Sequence, residues 1–107
     1  MQEKTLSTIQ FGGLSVLLMQ RHTQTKEYDY QKQYHGSRRI LVVDDEPDIT
    51  SFFKQALRDN GFEVETANDP LLALKNFKEH HHAYDLLVID IVMPEMDGFS
   101  LYEEIRK

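Results

Sequence analysis

Three aspartates carry the chemistry this chain could do. Asp44 and Asp45 stand side by side, and Asp90 follows 45 residues after Asp45. Each stands at the end of a short apolar run, Ile40–Val43 for the pair and Leu86–Ile89 for the single residue. Carboxylates brought together repel and raise one another's pKa. A hard divalent cation relieves that conflict. Mg²⁺ takes oxygen ligands in an octahedron, uses one or two carboxylates, keeps several waters and leaves room for a phosphate. The chain has no cysteine and no histidine at these positions, which disfavours zinc. A carboxylate held beside such a cation can attack a phosphoryl group and form an aspartyl phosphate. This reading makes Asp90 the nucleophile and the Asp44–Asp45 pair the metal holders.

The elements that would position these residues can be read from pattern. Ile40–Val43 is continuously apolar and β-branched, as in a strand buried on both faces of a parallel sheet. Pro47 suits a first helical position. Ile49, Phe52, Phe53, Ala56 and Leu57 then recur at helical spacing, and Asn60-Gly61 supplies a left-handed stop. Phe62–Ala67 predicts a second strand. Asn68 is the expected cap of a second helix with Pro70 in its first turn and Ala73, Leu74 and Phe77 inward. Leu86–Ile89 predicts a third strand. After the loop IVMPEMDG a third helix starts near Gly98, with Phe99, Tyr102 and Ile105 on one face. The βαβαβα order predicts a parallel α/β sheet with right-handed crossovers. In a 2-1-3 strand order the first and third strands are neighbours. Their carboxyl ends, and so the three aspartates, then share the switch point where ligands bind.

A blander account must be set beside this. A lone acidic residue after a strand is most often a helix cap, and Glu46 or Asp48 can be that and nothing more. A pair and a single aspartate at two adjacent strand ends, followed by Met93-Pro94 and Asp97-Gly98, exceed what capping explains. His80-His81-His82 are consecutive and cannot face one ion together from a helix end. Tyr28, Tyr30 and Tyr34 lack the basic neighbours a nucleic-acid platform needs.

ILVVDDEPD (Ile40–Asp48) and LLVIDIVMPEMDG (Leu86–Gly98) together resemble the receiver domain of two-component response regulators, a flavodoxin-like doubly wound α/β fold. The resemblance implies a phosphoacceptor signalling module in which Asp90 takes a phosphoryl group from a histidine kinase's phosphohistidine. It implies Mg²⁺ ligation by Asp45 and Asp90 directly, by Asp44 through water, and by the backbone carbonyl of Val92. It implies a regulator rather than an enzyme, with a sensor histidine kinase or phosphotransfer protein as partner. Pro94 and Gly98 would shape the loop, Gly98 by permitting close approach of the third helix. A haloacid-dehalogenase-type phosphatase would need a second aspartate two residues past the nucleophile, where Val92 stands. The remaining alternative is a receiver-like interaction module, or an incomplete fragment not phosphorylated on its own.

The resemblance covers residues 38–107, read as a partial receiver domain with its first three β/α units. The family continues with a fourth strand bearing a Ser/Thr and a fifth bearing a Lys, both contacting the phosphoryl group, and neither has a counterpart here. The third strand is therefore expected to be a bare hydrophobic sheet edge, an aggregation hazard, and the chain a fragment of a longer protein. Gly13–Met19 adding itself to that edge is the lesser reading. Residues 1–37 are expected to be a mostly irregular, disordered extension or linker, since residues 20–35 are polar and without period. Charge supports the division. Residues 38–107 hold eight Lys/Arg against fifteen Asp/Glu, while residues 1–37 carry four against three. So acidic a body repels a phosphate backbone, which argues against direct nucleic-acid binding. Phe11–Met19 is too short to span a bilayer and no signal peptide follows the usual pattern, so a cytoplasmic location is expected.

Overall fold

The computed structural model describes residues 4–11, 14–21, 38–80 and 84–107. Its strands are β1 (Lys4–Phe11), β2 (Leu14–Arg21), β3 (Arg39–Val43), β4 (Glu63–Ala67) and β5 (Leu86–Asp90). Its helices are α1 (Pro47–Asp59), α2 (Pro70–His80) and α3 (Gly98–Arg106). The sheet order is β1-β2-β5-β3-β4. Within it β3 pairs in parallel with both β4 and β5, which is the expected 2-1-3 arrangement of the three β/α units.

The apolar runs form strands because both sheet faces are covered. On one face Leu41, Val43, Leu87 and Ile89 pack with Ala73 and Phe77 of α2 and with Leu101 and Ile105 of α3. On the other, Ile40, Val42, Val64 and Val88 pack against Phe53 and Leu57 of α1. Pro47 opens α1 as expected, and Gly61, at φ +91°, ends it while the Phe62 N–H reaches back to the Leu57 carbonyl.

The N-terminal part departs from expectation. Lys4–Phe11 and Leu14–Arg21 are strands, not a disordered extension, and they pair antiparallel as a hairpin. The β2 strand also pairs antiparallel with β5, in the register Val16↔Asp90 to Gln20↔Leu86. The β5 edge is therefore covered rather than bare, and the lesser reading holds for the described strand, Leu14–Arg21. The reason is apolar complementarity. Val16 joins the α1-side core, while Leu17, 0% exposed, and Met19 join the other. Burial of each such side chain stabilises by about 1.5–3 kcal/mol. The remainder of the segment, including Tyr28, Tyr30 and Tyr34, lies outside the described residues, as do His81 and His82.

Two helical faces are also rotated from their predicted phase. Phe52 is 67% exposed and Thr50 is the buried residue of α1, because α1 meets the sheet along Phe53 and Leu57. In α3 the buried set is Gly98, Leu101 and Ile105, with Phe99 47% exposed. Asp97 sets that phase by accepting the Ser100 N–H at 2.7 Å as N-cap.

Candidate functional site

Asp44 directly follows β3 and Asp90 is the last residue of β5, so the parallel pairing of these strands delivers both to one sheet edge. Carboxylate oxygens of Asp44, Asp45 and Asp90 all lie within 4.8 Å of one another. Asp44 is 3% exposed and Asp90 8%. Asp45 is half-buried. They open onto a cleft of about 600 Å³ lined also by Glu46, Ile49, Val92, Met93 and Pro94.

Local hydrogen bonds hold the acidic groups in place. Asp44 Oδ1 accepts the Glu46 N–H at 2.9 Å, and Asp90 Oδ1 accepts the Val92 N–H at 3.2 Å. Behind them Asn68 does something other than cap α2. Its Nδ2 donates to the Asp44 carbonyl at 2.9 Å and to Thr50 Oγ1 at 3.0 Å, and Thr50 Oγ1 in turn donates to the Pro47 carbonyl at 3.1 Å. The α2 start is served instead by Asp69, whose Oδ1 accepts the Leu71 N–H at 2.9 Å. Asn68 thereby ties the end of β3 to α1, and it sits where it does because β4 ends beside β3. Glu46 occupies the N-cap position of α1 without a side-chain capping bond, so capping does not account for it.

The loop after Asp90 folds tightly. The Gly98 N–H donates to the Ile91 carbonyl at 2.8 Å. A Cβ on Gly98 would lie 2.6 Å from the Asp90 carbonyl oxygen and 2.9 Å from Ile91 Cα. Only glycine lets α3 start this close to the Asp90 backbone, as the loop sequence led us to expect.

Electrostatically the site is under tension. Burial raises the Asp44 pKa from 3.8 to about 6, with the neighbouring Asp90, Asp45 and Glu46 charges adding to it and the Glu46 N–H opposing. Asp90 is raised too, by burial first and then by Asp45 and Glu46, against the Val92 N–H. Among the described residues no Lys, Arg or His lines the cleft to offset these charges. The donor set is all oxygen, and an octahedral ion with bonds of about 2.0–2.1 Å spaces its ligands by a few ångströms. The three carboxylates therefore fit a hard divalent cation.

Sequence and structure comparisons agree with this geometry. Residues 40–107 match the response regulator receiver domain. The chain belongs to that family. This receiver is 39% identical over 69 residues to the transcriptional regulatory protein CpxR homolog of Haemophilus influenzae, covering 64% of this chain and 29% of that protein. It is 44% identical over 71 residues to the transcriptional regulatory protein PrrA of Mycobacterium leprae, covering 66% and 30%. It thus spans under a third of the length of these relatives. Among solved structures, the chemotaxis protein CheY4 of Vibrio cholerae aligns with a TM-score of 0.62 at 34% identity, covering 66% of this chain and 57% of that one. The receiver fold is the flavodoxin-like α/β fold read from the sequence.

The structure brings together Asp44, Asp45 and Asp90, and places Val92, 75% exposed, on the cleft wall two residues past Asp90. It also places two residues at the site that sequence reasoning did not. Asn68 was visible only as a cap. Ser15 lines the cleft from the start of β2, and no spacing could have linked it to Asp90 before the β2–β5 pairing was known. Among the described residues no helix is long and apolar enough to cross a membrane.

Proposed function

We propose that this chain is the phosphoacceptor module of a two-component phosphorelay, with Asp90 receiving the phosphoryl group. The juxtaposition of three carboxylates at the ends of two adjacent parallel strands carries this reading. Asp45 and Asp90 are assigned as direct Mg²⁺ ligands, Asp44 as a ligand through water, and Val92 as a ligand through its carbonyl. Bound there, Mg²⁺ supplies positive charge that offsets the clustered carboxylates and the incoming phosphoryl oxygens.

The acceptor role falls to Asp90 rather than Asp44. Asp44 is the more buried of the two, and its backbone carbonyl and carboxylate are both engaged, by Asn68 and by Glu46. Asp90 has one oxygen held by the Val92 N–H, which orients the carboxylate. Its ionised oxygen attacks phosphorus as the bond to the donor's imidazole nitrogen breaks, and the electron pair leaves with that nitrogen. Asp90 must be deprotonated to do this, so its raised pKa has to be brought down when the site is loaded. The partner is a sensor histidine kinase or phosphotransfer protein, the setting the cytoplasm, and the role regulatory rather than enzymatic. The surplus of acidic groups in residues 38–107 opposes direct nucleic-acid contact by the receiver.

Among the described residues no cationic side chain lines the cleft, which favours a second reading, an interaction module that never carries phosphate. Intact-mass spectrometry after incubation with acetyl phosphate and Mg²⁺ separates the two. The acceptor reading expects one added phosphoryl mass, lost with EDTA or in Asp90→Ala. No added mass leaves the interaction module.

A further inference from the structure

Covering β5 moves the open sheet edge outward. In the order β1-β2-β5-β3-β4 the outermost strands are β1 and β4, and among the described residues no strand pairs with the outer side of either. The two edges differ. The β4 strand has five residues, and its Glu63 and Glu65 are held by Arg39 at 3.1 and 3.6 Å. A short, charged edge of this kind resists pairing. The β1 strand has eight residues, KTLSTIQF, with no Pro, no Gly and a single charge at its first position. Every residue from Leu6 to Gln10 is exposed, so neither sheet face is covered there.

Backbone register identifies the groups left open. In an antiparallel pair a residue's N–H and C=O point to the same side, and successive residues alternate. The Ser15 carbonyl accepts the Ile91 N–H at 3.0 Å, so Ser15 and every second residue after it point towards β5. Val16, Leu18 and Gln20 then point to β1, where they meet Ile9, Ser7 and Thr5. Lys4, Leu6, Thr8 and Gln10 are left with their N–H and C=O turned outward. We propose that this edge pairs antiparallel with the same edge of a second copy of the chain, about a two-fold axis at Ser7, to form one continuous sheet. With Ser7 facing its counterpart, Lys4 meets Gln10 of the second copy and Leu6 meets Thr8, so every outward group has a partner. A register shifted by two residues leaves one outward residue of each copy beyond the other strand's end.

Charge selects the same partner. From Lys4 to Arg21 there is no Asp or Glu, while residues 38–107 hold eight Lys/Arg against fifteen Asp/Glu. Joined at β1, the two β5 strands stand five strand spacings apart, about 24 Å at about 4.8 Å each. The Debye length at physiological salt is about 8 Å, so the acidic clusters do not oppose this association. Pairing β1 with the β4 edge of another copy would place it against glutamates and repeat without closing.

The full chain has no cysteine, so one introduced thiol reports the register. A non-hydrogen-bonded antiparallel pair sets its Cα atoms about 4.5 Å apart, within the disulfide range of about 4.4–6.8 Å. Under mild oxidant Ser7→Cys therefore cross-links to a covalent dimer. Ile9→Cys stays reduced, because its counterpart lies about 13 Å away along the strand. In sedimentation equilibrium the parent chain is a dimer. Thr8→Pro removes an outward N–H, leaves the β1–β2 bonds in place and weakens association at least about tenfold. Circular dichroism matching the parent shows that this variant folds; if it does not fold, the two cysteine variants decide. A parent that stays monomeric, a folded Thr8→Pro chain that dimerises as tightly, or equal cross-linking at both cysteines overturns the proposal. Oligomers that grow past the dimer with concentration also overturn it, since β1 then pairs with an edge other than its own.

Discussion

At the residue scale, the buried carboxylates make the metal-free site costly to ionise. The Asp44 pKa stands at about 6 in the fold against 3.8 ordinarily. Between those values the folded chain binds more protons than the unfolded one, so stability falls as pH rises through that window. Thermal midpoints of the metal-free protein should therefore decline between about pH 4 and about pH 6, by an amount worth at most about 3 kcal/mol. Asp44→Asn should flatten the decline and raise the midpoint at neutral pH; a parent profile that rises over this range would contradict the burial argument. Two neighbours give separate tests. Gly98→Ala puts a methyl group 2.6 Å from the Asp90 carbonyl oxygen, and forced repacking of that kind costs about 1–3 kcal/mol, readable by denaturant unfolding. Asn68→Ala removes both bonds that join the end of β3 to α1, and should cost about 1–2 kcal/mol while slowing phosphorylation. Asp44, Asp45, Asp90 and Gly98 were all legible in the sequence because strand ends and a tight loop are local features. The role of Asn68 was not, since its acceptors lie 24 and 18 positions away.

At the scale of elements, the hairpin decides whether β5 can exist as an interior strand. A row of unpaired N–H and C=O groups along LLVID would template aggregation. With β2 beside it, β5 is paired on both sides, by β2 and β3. Removing residues 1–21 should therefore yield concentration-dependent oligomers in light scattering, where the full chain stays monodisperse at the same concentration. Leu17→Asp should do the same with the hairpin retained, because Leu17 is fully buried between β5 and the helices. A monodisperse, cooperatively folding truncated chain would show that β5 needs no cover. The strand in residues 14–21 was only faintly visible in sequence. Its apolar run is short, it is flanked by Gly12-Gly13, and its partner lies some seventy residues away.

At the scale of the whole molecule, five strands in the order β1-β2-β5-β3-β4 carry helices on both faces. The acidic edge is placed where the parallel unit meets the antiparallel hairpin, between β3, β5 and β2. A ligand that binds only the folded state stabilises it by mass action. Millimolar Mg²⁺ should raise the thermal midpoint at neutral pH, should do so less near pH 4, where the carboxyl groups hold protons, and should fail in an Asp45→Asn, Asp90→Asn double variant. An equal rise in that variant would mean that the cation acts elsewhere on the acidic surface.

The sequence by itself determined the β/α units, the parallel 2-1-3 core, the acidic cluster and the family, because each follows from short-range pattern. Apolar runs of strand length, a helical stop at Gly61 and carboxylates at strand ends need no knowledge of distant partners. Helix phase was only partly determined. Phe52 and Phe99 fit an amphipathic stripe, yet both are exposed, since α1 meets the sheet along Phe53 and Leu57 and α3 buries Gly98, Leu101 and Ile105. What only the tertiary structure decided was the fate of Lys4–Phe11 and Leu14–Arg21 and the presence of Ser15 at the cleft. Edge pairing depends on which strand edge is left open and which apolar run can cover it, and that contest is settled between elements, not within them.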